Sequence, residues 1–282
     1  MNSGMRVAYQ GERGAFSESA ARRLLGSDVT GVAHSSFEEM FQSVESGQTD
    51  CCIAPIENSL TGSIHRNYDL LLESALSIAG ETNLRIVHNL IAPPDVPLER
   101  IRRVYSHPVA LAQCGRFLRA HPALEPLPAH DTAGAVRLIM ERGSNDEAAV
   151  ASDTAATLYG ARVVVGGIED HSQNFTRFFL LAPSQVSETI ATHEKPRRWK
   201  TSLVFRMPNK PSALFRALGA FSMFEIDLSK IESRPVEGRP WEYSFYLDIV
   251  GRRDEPHVAR ALDNLAGRAE MVRVFGSYPT RW

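Results

Sequence analysis

Short apolar segments alternate with segments of helical periodicity through residues 1–180, and this alternation limits the fold more than any other feature. Runs of apolar residues predict strands at 7–9, 51–54, 87–92, 104–105, 148–151 and 163–165. Apolar residues at helical spacing predict helices at 17–25, with Ser17 as its N-cap, and at 37–44, 109–118, 132–142 and 153–159. Such alternation indicates an α/β architecture with mostly parallel strands. Ligands bind beyond the carboxyl ends of the strands in sheets of this kind.

The pattern changes after residue 182. Residues 184–199 are polar, interrupted by proline and partly basic, which predicts a linker. Beyond them the order is strand, helix, strand, strand, helix, strand, at 201–207, 212–221, 228–232, 242–250, 256–265 and 271–275. This order predicts an α+β ferredoxin-like (βαββαβ) domain at 200–279. Exposed sheet edges of such small domains pair readily with another copy, so we expect a homo-dimer or homo-tetramer.

Composition excludes several classes of protein. The 282 residues are 43% hydrophobic, enough for two domains with sizeable cores. Since 31 basic residues balance 33 acidic ones, no overall field favours a nucleic acid or an anionic membrane. The three cysteines suggest neither a disulfide framework nor a metal site, and no stretch reads as a signal peptide or a membrane span. These features together favour a reducing cytoplasm.

The segment 174–179, Asn-Phe-Thr-Arg-Phe-Phe, is the strongest candidate for a functional site. It places the hydroxyl of Thr176 and the guanidinium of Arg177 where an apolar strand begins. A hydroxyl donor beside a cation suits a dianionic substrate that has a poor oxygen leaving group. The alternative is a plain junction between a loop and a strand.

Two further segments follow predicted strands. Residues 11–17, Gly-Glu-Arg-Gly-Ala-Phe-Ser, join a strand to a helix, and their glycines would let backbone N–H groups approach an anion. The alternative for this segment is a tight turn, and its spacing is not a dinucleotide fingerprint. Glu57, Asn58 and Ser59 follow the predicted strand at 51–54, where neutral amides and hydroxyls can hold a carboxylate. The alternative here is that Asn58 or Ser59 caps the next helix.

The segment 106–114 combines a strand end with a helix start. Ser106 is the predicted N-cap, Pro108 suits the first turn, and Gln113 is expected to face the strand ends. His107 is a candidate general base, although a cap or supporting role fits better because no acid lies near it in sequence. Adjacent side chains at 169–171, Glu-Asp-His, point apart, so we expect no metal there.

Taken together, the chain resembles the prephenate dehydratases. The resemblance spans about residues 5–279 and rests on the ordered segments 11–17, 55–59, 106–114, 174–178 and 232–235. It implies a two-lobed catalytic domain similar to periplasmic binding proteins at 5–183, with lobe one at 5–79 and 166–182 and lobe two at 80–165. It further implies a C-terminal ACT regulatory domain, prephenate as substrate, and neither a cofactor nor a metal. Since the first predicted strand begins near residue 7, we expect no chorismate mutase domain and a monofunctional enzyme.

The resemblance also implies residue roles in the catalytic domain. Thr176 would stabilise the leaving oxygen, and Arg177 would anchor a carboxylate or tie the lobes together. Glu57 would be protonated or bonded to a backbone or Arg partner. The implied catalytic residues are Thr176, Asn58, Ser106 and Gln113, and the implied substrate-binding residues are Glu57, Ser59, Arg177, Phe178, Gly14 and Ala15.

In the C-terminal domain the resemblance implies a site for L-phenylalanine. Its residues would be Asn209, Pro211, Ser212, Ala213, Leu214, Glu232 and Ser233. Ser212 stands where the family usually has glycine, which costs conformational freedom and puts the effector affinity in doubt. Two alternatives to a phenylalanine-inhibited prephenate dehydratase stay open: an arogenate dehydratase, and a non-catalytic amino-acid sensor.

Overall fold

The computed structural model describes residues 4–193 and 198–280. The chain forms two units, one from residues 1–74 and 82–180, the other from residues 75–81 and 181–282. Within the described residues, no helix is long and apolar enough to cross a membrane. The three cysteines, Cys51, Cys52 and Cys114, are buried and unpaired.

The first unit is built from alternating strands and helices, as the apolar pattern predicts. Its strands, of which β5 and β11 extend into the second unit, are β1 (Arg6–Gln10), β2 (Thr30–His34), β3 (Cys51–Asn58), β4 (Gly62–Ser63), β5 (Ser77–Arg85), β6 (Asn89–Ala92), β7 (Arg103–Ser106), β8 (Glu125–Pro128), β9 (Glu147–Ala151), β10 (Arg162–Val165) and β11 (Phe175–Ala182). Its helices are α1 (Phe16–Leu25), α2 (Phe37–Glu45), α3 (His65–Glu73), α4 (Pro108–Gln113), α5 (Gly115–Ala120), α6 (Thr132–Arg142) and α7 (Asp153–Leu158).

These strands form two sheets. The first has the order β2-β1-β3-β11-β5 with β4 on β3, and the second has the order β10-β6-β9-β7-β8. The pairs β1–β2, β1–β3, β7–β8 and β7–β9 are parallel, whereas β6 is antiparallel to both β9 and β10. The chain passes from the first sheet to the second after β5 and returns before β11. This arrangement of two sheets, between which the chain crosses twice, confirms the predicted two-lobed α/β fold class.

Several local predictions differ from the structure. Helix α1 begins at Phe16 with Ala15 as its N-cap and no side-chain cap, so the predicted capping by Ser17 is wrong. The single helix predicted at 109–118 is two short helices, α4 and α5, that meet at Cys114. Strand β3 continues through Pro55 to Asn58, so the polar residues at its end belong to the strand itself.

The second unit carries the predicted βαββαβ order. Its elements are α8 (Ser184–His193), β12 (Arg198–Arg206), α9 (Ala213–Ser222), β13 (Leu228–Val236), β14 (Arg239–Val250), α10 (Pro256–Ala266) and β15 (Met271–Thr280). The four strands form a sheet of order β13-β14-β12-β15 with antiparallel neighbours. Leu203 and Phe205 of β12 pack in one core with Phe221 of α9 and Leu265 of α10. Burying each such side chain contributes about 1.5–3 kcal/mol.

The segment predicted as a linker, 184–199, contains α8 and the first residues of β12. Residues 194–197 of that segment lie outside the described residues.

Ser212 stands in a left-handed backbone conformation before α9. Its φ is 64° and its ψ is 9°, and its side chain does not cap the helix. A residue with a Cβ pays about 1–2 kcal/mol in this conformation, whereas glycine adopts it freely. The strain that the sequence predicts for a serine at a glycine position is therefore present.

We expect Ser212→Gly to raise the free energy of unfolding by about 1 kcal/mol, because it releases that strain. The control is Ser222→Gly at the end of the same helix, which we expect to lower it by about 0.5–1 kcal/mol. Urea denaturation of the full chain followed by circular dichroism measures both. A Ser212→Gly variant that loses stability as the control does would contradict the strain assigned to Ser212.

Candidate active site

A cleft of about 600 Å³ lies in the first unit. Five of the predicted site residues line it: Ala15, Asn58, Gln113, Thr176 and Phe178. Thr176 and Phe178 project from the same face of β11, since alternate residues of a strand share a face. The cleft wall is thus formed where the carboxyl-terminal part of β3 and the start of β11 run side by side.

The side chain of Asn58 is held in one orientation by the backbone. Its Oδ1 accepts hydrogen bonds from the N–H groups of Leu60 at 3.0 Å and Thr61 at 3.1 Å. A backbone N–H can only donate, so this oxygen is assigned without ambiguity. The Nδ2 group of Asn58 therefore faces the opposite way. There it donates to Thr176 Oγ1 at 3.0 Å and to Asn174 Oδ1 at 2.7 Å.

The hydrogen bonds keep the same donor-to-acceptor direction beyond Asn174. This residue is fully buried, and because its Oδ1 faces Asn58, its Nδ2 donates to Gln113 Oε1 at 2.9 Å. The Nε2 atom of His88 lies 2.9 Å from the same Gln113 oxygen. A chain of hydrogen bonds thus joins Thr176, Asn58, Asn174, Gln113 and His88 along the cleft.

This chain of hydrogen bonds leaves two donors in the cleft wall, the Thr176 hydroxyl and the Gln113 Nε2 group. Thr176 Oγ1 accepts from Asn58, and no described residue accepts the Thr176 hydroxyl proton. Both bonds to Gln113 are made to its oxygen, and the part of the chain that the structure describes offers no acceptor to its Nε2 group. Each of these two groups can therefore donate to an oxygen atom bound in the cleft.

Five helices of the described chain begin at the cleft. Residues at the start of each helix contribute to its lining: Ala15–Ser17 of α1, Ser36–Glu38 of α2, Ile64 of α3, His107, Val109 and Ala110 of α4, and Asp131–Thr132 of α6. Helix N-termini carry partial positive charge and free N–H groups, which favour anions. Side chains of Ser36, His107 and Asp131 cap three of these helices, whereas α1 and α3 have no side-chain cap. Within the described chain, neither lysine nor arginine lines the cleft.

Three histidines line the cleft: His88, His107 and His130. Burial lowers the pKa of His88, against the opposing effects of its hydrogen bond to Gln113 and of the nearby Glu169. Burial also lowers the pKa of His107, although Asp131 acts in the opposite direction. Nδ1 of His107 accepts from Val109 N at 3.2 Å, so His107 is the N-cap of α4, as the preferred interpretation of its sequence position predicts.

Ser106 does not reach the cleft lining. It is fully buried, and its hydroxyl donates to the carbonyl oxygen of Val150 at 2.6 Å across the second sheet. The prediction that Ser106 caps α4 is therefore wrong, because its donor is used inside the sheet, whereas its role in catalysis stays a prediction. His107 takes the capping position instead.

Ser59 and Gly14 also lie outside the lining, and each has a structural contact. Ser59 Oγ donates to the carbonyl oxygen of Gln173 at 2.8 Å and accepts from Phe175 N at 2.9 Å, so it ties β3 to the start of β11. Gly14 has a φ of 86°, and a Cβ there would lie 2.9 Å from the Cα of Ala155. Glycine at this position therefore allows the loop before α1 to contact α7. Direct substrate contacts of both residues stay predictions.

Arg177 lies on the opposite face of β11 from Thr176. It is buried, its Nη1 is 4.0 Å from Glu57 Oε2, and its guanidinium lies 4.8 Å from the ring centre of Phe179. The strand alternation directs it away from the cleft, and its role as a carboxylate anchor stays a prediction. Of the two states predicted for Glu57, the one with an Arg partner fits this contact. Neither residue lines the cleft.

The sequence predictions missed His88 and the helix starts of α2 and α6. His88 falls inside a run predicted as a strand and carried no other signal. The Ser-Ser pair at 35–36 and the His-Asp pair at 130–131 each precede a segment of helical periodicity. Such pairs are typical of N-caps, so they were the available signal for these two helix starts. Asn174 was part of the segment singled out, yet only its neighbour Thr176 was assigned a role.

The predicted effector residues lie on two elements of the second unit. Asn209, Pro211 and Ser212 precede α9, which begins at Ala213 and continues through Leu214. Glu232 and Ser233 lie on β13, an edge strand of the sheet. Lys230 Nζ is 3.0 Å from Glu232 Oε2 on the same face of that strand.

Comparison with known proteins identifies relatives over nearly the whole chain. A family model described as prephenate dehydratase matches residues 7–186, and one described as ACT domain matches residues 201–267. The chain is 43% identical to arogenate dehydratase/prephenate dehydratase 2, chloroplastic, of Arabidopsis thaliana, over 98% of this chain and 73% of that protein. It resembles the prephenate dehydratase of Arthrobacter aurescens in complex with L-Phe at a TM-score of 0.86 and 29% identity, covering 98% and 90% of the two chains. A structure described as GqqA, a novel type of quorum quenching acylase, matches at a TM-score of 0.87 and 33% identity, over 98% of each chain.

The hydrogen-bond chain predicts the effect of Asn174→Asp. An ionised carboxylate would face the oxygen of Gln113 with an acceptor instead of a donor, so we expect a loss of about 3 kcal/mol in the free energy of unfolding at pH 7. A protonated carboxyl group donates as the amide does. Burial raises its folded pKa above its unfolded value of about 3.9, so the loss is fully present above the folded pKa and shrinks as pH falls toward the unfolded pKa.

The control is Asn145→Asp, at an exposed position, which we expect to change stability by less than about 0.5 kcal/mol. Urea denaturation of both variants and the wild type at pH 7 and pH 4.5 measures the differences. Equal losses for Asn174→Asp at the two pH values would show that Asn174 does not donate as described.

Proposed function

This chain belongs to the prephenate dehydratase family, and we propose that it converts prephenate to phenylpyruvate by decarboxylating dehydration. The observation that carries the proposal is the hydroxyl of Thr176. It accepts a hydrogen bond from Asn58 Nδ2 at 3.0 Å, which leaves its proton for an oxygen in the cleft.

The chemistry of prephenate fits such a donor. The ring carboxylate leaves as carbon dioxide, its bonding electron pair moves into the ring, and the ring hydroxyl leaves as hydroxide, which becomes water on protonation. The gain of aromaticity drives the reaction, so the protein must mainly orient the substrate and stabilise the departing oxygen. An unactivated hydroxyl is a weak acid, and we propose that Thr176 stabilises that oxygen by hydrogen bonding, with the proton drawn from water.

Binding and orientation fall to the rest of the cleft. The Nε2 group of Gln113 is a second donor, and Phe178 is an apolar wall for the ring. The N-termini of α1 and α2 favour the two substrate carboxylates in a cleft without a described lysine or arginine. Orientation of this kind lowers a barrier by about 7 kcal/mol at best.

We further propose feedback inhibition by L-phenylalanine at the ACT domain. The similar protein of Arthrobacter aurescens is described in complex with L-Phe, and this supports the same effector here. The effector would act by binding one conformation of the enzyme more tightly than another. The edge strand β13, with alternating exposed residues, supports assembly into a homo-dimer or homo-tetramer.

The domain division remains part of the proposal: a catalytic domain at 5–183, with lobe one at 5–79 and 166–182 and lobe two at 80–165, and an ACT domain at 200–279. We also propose the cytoplasm as the compartment, which three unpaired cysteines support. The relative from Arabidopsis thaliana is described as chloroplastic.

Arogenate is the second candidate substrate. It carries an ammonium group where prephenate has a keto group, and two observations favour it. The relative at 43% identity is named for both substrates. Asp131 also lines the cleft, and its carboxylate suits an ammonium group better than a keto group.

Turnover of prephenate and arogenate at equal concentration tests the function. Formation of phenylpyruvate from prephenate at a higher kcat/KM than of phenylalanine from arogenate supports the first candidate, and the reverse order supports the second. Turnover of neither would favour the amino-acid sensor.

We expect Thr176→Ala to lower kcat at least about 100-fold on the preferred substrate, because it removes the donor to the leaving oxygen. Substrate binding and folding should change little. Thr176→Ser keeps a hydroxyl and should retain more activity. The matched control is Thr157→Ala, an exposed position on α7, whose kcat should equal that of the wild type. A Thr176→Ala enzyme within about tenfold of wild type would remove Thr176 from this role.

Regulation is tested separately with Glu232→Ala. We expect the concentration of phenylalanine that halves activity to rise at least about tenfold, because a charged hydrogen-bonding group of the effector site is lost. Activity without phenylalanine should stay unchanged. Glu237→Ala, in the exposed turn after β13, is the control. Full sensitivity in the Glu232→Ala enzyme would show that the effector does not use Glu232.

A further inference from the structure

We propose that His88 is a positioning residue for this reaction, which holds the Gln113 carboxamide so that the Gln113 Nε2 group stays turned into the cleft. This inference rests on the proposed function, since Gln113 is there a substrate-orienting donor. His88 itself has no role in the chemistry that the cleft residues carry. Its Nε2 atom lies 2.9 Å from Gln113 Oε1.

The direction of the hydrogen-bond chain determines which His88 nitrogen carries the proton. The N–H groups of Leu60 and Thr61 fix Asn58 Oδ1, so Asn58 must donate to Asn174, and Asn174 must donate to Gln113. The Gln113 atom that faces His88 is therefore an oxygen, and His88 must donate to it. This requires the tautomer with hydrogen on Nε2.

The other ring nitrogen supports the same tautomer. Nδ1 of His88 is buried and has no hydrogen-bond partner among the residues that the structure describes. A proton on this atom would be a buried donor without an acceptor, which costs about 1–3 kcal/mol. An unprotonated Nδ1 with a proton on Nε2 avoids that cost.

The ring is held rigidly enough to position its neighbour. His88 is 2% exposed, and Phe16 packs edge-on against it with ring centres 5.8 Å apart. Its backbone N–H donates to Glu169 Oε2 at 3.0 Å, and its carbonyl accepts from Ile168 N at 2.9 Å. Both backbone groups are thus tied to the segment that returns toward the first sheet.

The position of His88 in the chain explains how its contact with Gln113 relates residues of the two sheets. It lies between β5 of the first sheet and β6 of the second, where the chain first crosses. Gln113 ends α4, which packs in the second lobe, and Asn174 lies just before β11 of the first sheet. The three side chains meet at the Gln113 oxygen. The Gln113 Nε2 donor of the second lobe is therefore oriented by His88 and Asn174, one from each segment where the chain crosses between the sheets. His88 therefore sets the position of Gln113 relative to Thr176.

The test compares two His88 variants in steady-state turnover of the preferred substrate. His88→Gln keeps a donor near the Nε2 position, whereas His88→Leu removes it at similar volume. We expect His88→Leu to lower kcat/KM about tenfold or more, the size of one buried hydrogen bond lost, and His88→Gln to retain most activity. The control is His121→Leu, a half-buried histidine in tilted contact with the Phe117 ring outside the cleft, which should match the wild type.

A double-mutant cycle separates positioning from a general structural effect. If His88 acts through Gln113, then His88→Leu should lower activity less than about twofold further in a Gln113→Ala background. If the activity losses of the two single variants multiply in the double variant, the proposal is overturned. Equal activity losses for His88→Gln and His88→Leu overturn it as well. Nitrogen-15 spectra of histidine in the wild-type protein, assigned with His88→Gln, give the tautomer even if His88→Leu does not fold. A proton on Nδ1 at neutral pH overturns the inference.

The same spectra distinguish failure of this inference from failure of the proposed function. A wild-type protein inactive on both substrates removes the proposed function, and the positioning role with it, whatever the tautomer. An active wild type with a proton on His88 Nδ1 removes the positioning role alone.

Discussion

Two backbone N–H groups, those of Leu60 and Thr61, donate to the side-chain oxygen of Asn58, and the polar wall of the cleft takes its orientation from this contact. Each later amide in the chain can turn only one way, because its neighbour offers a donor or an acceptor and not both. The hydroxyl of Thr176 thereby becomes a donor toward the cleft. Backbone geometry at the end of β3 thus decides the chemistry that a threonine on another strand can perform.

The positive potential of the cleft comes from the backbone as well. Five described helices begin there, and the described lining holds histidines and carboxylates but neither lysine nor arginine. Partial charges at helix N-termini are fixed by the fold and need no ordering of long side chains when an anion binds. Arg177, the cation beside Thr176 in sequence, instead lies against Glu57 and Phe179 on the other face of β11.

The sequence patterns predicted the elements well where periodicity and burial agree. The βαββαβ order of the second unit and most strands of the first were predicted, because continuous apolar runs and helical spacing reflect burial directly. Caps were predicted less well. Ser17 and Ser106 are good capping residues by type, yet Ala15 and His107 hold those positions, since the helix start depends on how the chain enters from the preceding strand.

The amino-acid sequence by itself determined the order of strands and helices and the identity of Thr176, Asn58 and Gln113 as candidate donors, because these follow from local patterns. Only the tertiary structure decided which of the candidates meet. Asn58 and Thr176 are 118 positions apart, and they are joined because β3 and β11 are neighbours in one sheet. Ser106 and Arg177 lie outside the cleft lining, and His88 and Asn174 belong to the hydrogen-bond chain, for the same physical reason. Which face of a strand a side chain takes, and which partner it finds there, depends on packing between segments far apart in the chain.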